Sequence, residues 1–185
     1  MEKFKNSTYI AFYAATVTSL VGFIVFSIFV YPKDPLTMPD TMIGLLTIIP
    51  FVVFFIITLV TVPMVVIPIK KHNFIQNKPA LKGVYEVSLY IFLCTLLVMM
   101  FDFAYQFITR NEFSKKFAKA LKLVLSHTQS ELSNKDYDSF SKWPFLVQNM
   151  FTFIMGMLIA GVIAYPISIA VAKKISNKTN DYGKY

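Results

Sequence analysis

Runs without charge constrain this chain more than any other feature. An apolar helix needs about 20 residues to cross the hydrocarbon core of a bilayer. Residues 6–32, 41–69 and 143–172 contain no Lys, Arg, Asp, Glu or His, and residues 87–109 are interrupted only by Asp102. Inside lipid the backbone must satisfy its own hydrogen bonds, which leaves helices or closed barrels. Barrel strands alternate strictly over about 10 residues, whereas FVVFFIITLV (51–60) and IFLCTLLVMM (91–100) are continuously apolar. The expectation is an all-α membrane protein with four transmembrane helices. The spans are placed at about 7–31, 41–69, 86–109 and 144–172 in a single integral membrane domain over 1–185. An extramembrane helical insert at 110–142, folded as an amphipathic hairpin, lies between helices three and four.

Composition agrees, with 56% hydrophobic residues among 185, more than a soluble domain carries. Lys3 and Lys5 before the first run could belong to a signal peptide, but a signal core is about 7–15 apolar residues. This run continues through VGFIVFSIFVY, so it is read as a retained span. The single cysteine, Cys94, permits neither an intrachain disulfide nor a cysteine metal cluster. A net charge of +8 would suggest nucleic acid in a soluble protein. Here the lysines gather at span ends, where they meet anionic headgroups and orient the helices.

Small residues mark the packing faces. Ala11, Ala15 and Ser19 recur every four residues in the first span, with Ala14, Thr18 and Gly22 beside them. The last span repeats the device in Gly156, Ala160, Ala164, Ser168 and Ala172, with Gly161 adjacent. Such faces let helices approach closely, which drives association in lipid, and the two are expected to pack against each other. The second span carries Pro50, Pro63 and Pro68, each removing a backbone donor, so a kinked helix with a distorted last turn is expected. Pro144 suits the first turn of the last span, with Trp143 at headgroup level.

Asp102, Gln106 and Thr109 share one helix face, and a carboxylate there should look at protein or water, not at lipid. Beyond Thr109, Phe113, Phe117, Leu121 and Val124 follow at spacings of four and three, while Lys115, Lys116, Lys119 and Lys122 fall largely on other sides. This is an amphipathic helix of the kind that lies on a membrane surface or covers a neighbouring subunit. Thr109 and Glu112 fit a capping box at its start, and Ser133 with Asp136 suggests a second short helix. Asp102, Gln106, Phe113, Phe117, Leu121 and Val124 are therefore the candidate partner-binding residues. Gly156, Ala160, Ala164 and Ser168 are the candidate helix-packing residues.

The connection 69–86, with Lys70, Lys71, Lys78 and Lys82 against Glu86, is the most basic short loop. With four spans it lies on the same side as both termini. Those segments together hold ten lysines against Glu2, Glu86 and Asp181, which favours cytoplasmic termini. His72 and His127 then fall on opposite sides. The basic tail after Ala172 is expected to be poorly ordered unless a partner holds it.

No GxGxxG, Walker loop, HExxH, GxSxG or CxxC occurs, and no nucleophile, base and oxyanion donors can be assembled. The expectation is a non-enzymatic chain without cofactor, metal or small-molecule substrate. The stretch FDFAYQFITRNEFSKKF, the KPALKG entry to the third span and the last span ending in KK resemble an uncharacterised, domain-of-unknown-function family. Its members are small four-span bacterial inner-membrane proteins with a long third loop. The resemblance implies a bacterial inner membrane and no catalytic residues. The resulting expectation is an accessory or scaffolding subunit of an inner-membrane complex, in protein secretion or membrane insertion, with other integral membrane proteins and anionic lipid as partners. The alternative is a small oligomeric ion- or proton-coupled transporter or channel using Asp102.

Overall fold

A computed structural model describes residues 2–75, 83–110, 112–127 and 141–182. Its helices are α1 (Glu2–Val25), α2 (Asp40–Ile75), α3 (Gly83–Thr109), α4 (Glu112–His127), the single turn α5 (Phe145–Gln148) and α6 (Met150–Tyr182). A π-helical turn, Phe26–Val30, continues α1, and a 3-10 turn, Pro35–Thr37, precedes α2. Four helices are long and apolar enough to cross a membrane: Asn6–Val30, Asp40–Phe74, Val84–Thr109 and Met150–Asn177. The second half of the expected hairpin, with Ser133 and Asp136, lies outside the described residues.

The four long helices form a square. α1 neighbours α2 and α3, α6 neighbours α2 and α3, and α1 and α6 stand on a diagonal. The expected pairing of the first and last spans is therefore corrected: each small-residue face is buried, but against different neighbours. The α1 face (Ala11, Ala14, Ala15, Thr18, Ser19) is closed by α3 and α2, and Gly22 leaves room for the Phe54 ring, which lies 2.7 Å from where a Cβ would stand. The α6 face, Gly156 to Ala172, runs along α2. A Cβ on Gly156 would sit 2.5 Å from the Phe51 carbonyl oxygen, which is backbone and cannot swing aside.

Gly156→Ala is expected to cost about 1–3 kcal/mol, as other overpacked cores do. Gly44→Ala, at an exposed α2 site with nothing within 4 Å of the new methyl, should be neutral or slightly stabilising. Unfolding in mild detergent checks the contrast. Equal effects would mean that α2 and α6 do not meet at Gly156.

α2 is one continuous helix through Pro50, Pro63 and Pro68. It also runs past Lys70 to Ile75, which draws residues assigned to a loop into the bundle. α6 likewise continues through Lys173 and Lys174 to Tyr182, where the sequence suggested little order.

The capping box is replaced by different geometry. Thr109 Oγ1 donates back to the Tyr105 carbonyl at 3.0 Å, and Arg110 takes a positive φ of 56°, so the chain turns sharply out of α3. That turn lays α4 over the bundle end, against the 3-10 turn, α2 and α5. A second tie is the Lys116 Nζ–Asp34 Oδ2 pair at 2.9 Å. Asp34 also caps the 3-10 turn by accepting from the Leu36 amide at 3.1 Å.

The hydrogen bond from Lys116, then that from Leu36, holds the Asp34 carboxyl below its ordinary range, and the Asp34 bond raises Lys116. A lowered acid stabilises the fold above its unfolded pKa, near 3.8, and that contribution is lost as pH falls through the lower folded value. The raised Lys116 contributes below 10.5, and its share is lost as pH rises through its higher folded value. Both groups are solvent-accessible, so the effect is small. Asp34→Asn should loosen α4 alone, seen as faster hydrogen exchange in 112–127 at neutral pH with an unchanged rate in the spans.

Candidate functional site

The buried side of α3 explains why these helices hold together. Glu86, Tyr90, Cys94, Val98, Asp102 and Gln106 recur every four residues, and all are buried. Five of the six carry a polar atom. A spacing of four turns the row by about 40° per step at 3.6 residues per turn, so it winds around α3 and meets different neighbours along the bundle. Lipid-facing positions beside it are apolar, with Phe107 89% exposed.

At the α4 end, Asp102 is 0% exposed and both its oxygens are engaged. Oδ1 accepts from the Tyr31 hydroxyl at 2.5 Å and, more distantly, from Gln106 Nε2 at 3.4 Å. Oδ2 accepts from the Leu146 amide at 2.8 Å. The last contact has a local cause. Pro144 precedes α5 and supplies no side-chain cap, so the first free amides of that turn need an acceptor from elsewhere. Asp102 provides it, tying α3 to the entry of the last span. Asn149 then interrupts the helix before α6 begins, so the expected single span from 144 onward is a one-turn helix followed by a long one.

Mid-bundle, hydroxyls replace carboxylates. Thr18 and Thr61 share a hydrogen bond of 2.6 Å, Thr58 and Tyr90 one of 2.9 Å, and the Tyr90 hydroxyl donates to Thr18 at 3.2 Å. Ser19 Oγ lies 3.3 Å from Cys94 Sγ. α1, α2 and α3 are thus linked across their common interface.

At the terminal end, Lys70 Nζ meets Glu86 Oε1 at 2.6 Å, and Ser7 Oγ donates to the same oxygen at 2.8 Å. Glu86 is 0% and Lys70 2% exposed. Glu86 Oε2 has no hydrogen-bond partner among the described residues. This buried pair is the feature the sequence reading missed. Its signal was present in the four-residue recurrence from Glu86 to Asp102, which a count of loop charges overlooks.

The predicted partner-binding residues are placed differently from expectation. Phe113 and Phe117 are buried in the chain's own aromatic cluster. Phe117 meets the Phe145 ring edge-on at 4.8 Å, and Phe113 meets Phe145 and Tyr31 at 5.2 and 5.3 Å. Leu121 and Val124 pack partly buried on the same core. Within the chain this face is covered by α5 and the α1–α2 turn. Asp102 and Gln106 also face inward, as a stripe unfit for lipid should, but toward the chain itself. Among the described residues no group of three His, Cys, Asp or Glu side chains could hold a metal.

Fold and site together define a multi-pass, all-α membrane protein. Comparisons with protein-family models, with curated proteins and with solved structures find no match.

Proposed function

We propose that this chain is a non-enzymatic accessory or scaffolding subunit of a bacterial inner-membrane assembly, with both termini in the cytoplasm. The observation that carries the reading is Asp102: both carboxylate oxygens are bonded within the chain, so the one acid in the middle of an apolar run serves the fold. What remains for a partner is the outer surface. On α4 that surface carries the exposed Lys115, Lys119 and Leu123, held firmly by the aromatic face beneath. It suits an acidic extramembrane segment of another membrane protein. The family resemblance supplies the bacterial inner membrane, and the lysine balance supplies the orientation.

The test is purification from native membranes in mild detergent. Stoichiometric membrane partners should accompany the wild type and be lost from the Lys115→Glu, Lys119→Glu double variant, whose thermal unfolding stays unchanged. A lone monodisperse chain in both preparations would oppose the reading. Orientation has a separate check: a cysteine introduced at Ser126, an exposed position on α4, should react with an impermeant thiol reagent applied to intact cells.

One observation favours a second reading, proton-coupled transport. Glu86 Oε2 is buried beside Lys70 and has no hydrogen-bond partner among the described residues, a place where a proton or small cation could be held. On this reading the working acid is Glu86 and not Asp102. Flux into proteoliposomes abolished by Glu86→Gln and retained in Asp102→Asn would establish it over the scaffold.

A further inference from the structure

A groove of about 640 Å³ opens toward lipid between α3 and α6. Val84, Val87 and Ile91 line one side, and Leu158, Val162 and Ile169 the other. Its polar groups are not scattered. Ser88 and Lys173 lie toward the terminal end of the bundle, where α3 begins and α6 nears its close, while Leu158 and Ile91 lie deeper. The distance from Leu158 to Lys173 along α6 is about 22 Å at 1.5 Å per residue. One leaflet of a hydrocarbon core about 30 Å thick is roughly 15 Å deep. The groove therefore runs from headgroup level through one leaflet.

Lys173 is exposed and is followed by Lys174, so the mouth presents positive charge at the level of lipid phosphates. Apolar depth with a cation at the mouth matches an anionic lipid.

We infer that the α3–α6 groove is a binding site for one anionic phospholipid, with an acyl chain lying between Ile91 and Leu158 and the headgroup at Lys173. The site does not depend on the scaffold reading, since a transporter could carry it equally. It goes beyond the general attraction of lysines to a charged surface, because it fixes stoichiometry and position.

Native mass spectrometry of the purified chain in mild detergent, supplied with phosphatidylglycerol or phosphatidylcholine of the same acyl chains, tests it. The wild type should retain a single phosphatidylglycerol, preferred about fivefold over phosphatidylcholine, the factor one lysine at a headgroup supplies. Lys173→Glu should erase that preference. Val162→Trp, at an exposed wall position, should remove retention of both lipids while thermal unfolding stays unchanged. Equal retention of the two lipids by the wild type, or full retention by a folded Val162→Trp, would overturn the assignment. So would a dimer that Val162→Trp dissociates, since a second copy would then own the groove.

Discussion

Replacing Lys70 with Met, or Glu86 with Leu, should destabilise the bundle by about 3–5 kcal/mol each, whereas the double replacement should recover most of that loss. The expectation follows from burial. Glu86 and Lys70 lie at the interface of α1, α2 and α3, and the Ser7 hydroxyl is the other group bonded to the shared Glu86 oxygen. Removing one partner leaves a charge that neither water nor a neighbour compensates. Removing both leaves a space that two apolar side chains of similar volume can fill. Unfolding of the four proteins in one detergent measures the cycle. Single variants as stable as the wild type would mean that water reaches the pair.

Asp102→Leu should have the second largest effect. The Leu146 amide and the Tyr31 hydroxyl would both lose their acceptor. A buried donor without a partner costs about 1–3 kcal/mol, so two of them cost on the order of 3 kcal/mol. The damage should spread in a particular direction. Without its acceptor α5 loses its anchor to α3, and with it Phe145, the ring against which Phe113 and Phe117 stand. Hydrogen exchange in α4 and α5 should therefore rise together, while the Gly156 contact with α2 stays protected. Asp102→Asn keeps an acceptor oxygen and should cost less.

The architecture was readable in the chain because lipid demands long charge-free helices, and such runs leave little choice. Their pairing was not readable. Small residues at intervals of four on α1 and α6 say that each helix is approached closely, but not by which neighbour. Only the square arrangement shows that Gly156 faces Phe51 and that Gly22 faces Phe54. The ends of the spans were misjudged for a related reason. Ending the second run at the first lysine assumes that a charge must reach water, and Lys70 instead reaches Glu86 within the bundle. Similarly, the amphipathic face of α4 announced that Phe113 and Phe117 would be covered. Periodicity cannot tell another protein from the chain's own Phe145, which stands 32 positions beyond Phe113. Asp102 was expected to look at protein or water and away from lipid; the group it meets includes a backbone amide, which no side-chain pattern reveals.

Groups that first suggested a docking face are core, and the surfaces left are the lysine side of α4 and the lipid-facing groove between α3 and α6.

The scaffold reading depends on Asp102 acting as an internal tie between α1, α3 and the start of the last span. A double-mutant cycle on Tyr31→Phe and Asp102→Leu, followed by unfolding in mild detergent, measures that tie directly. The two residues should couple by about 1 kcal/mol or more, since once Asp102 is gone the Tyr31 hydroxyl has no carboxylate left to bond. Effects that add to within about 0.5 kcal/mol would show that Asp102 and Tyr31 do not act on each other, and would contradict the account.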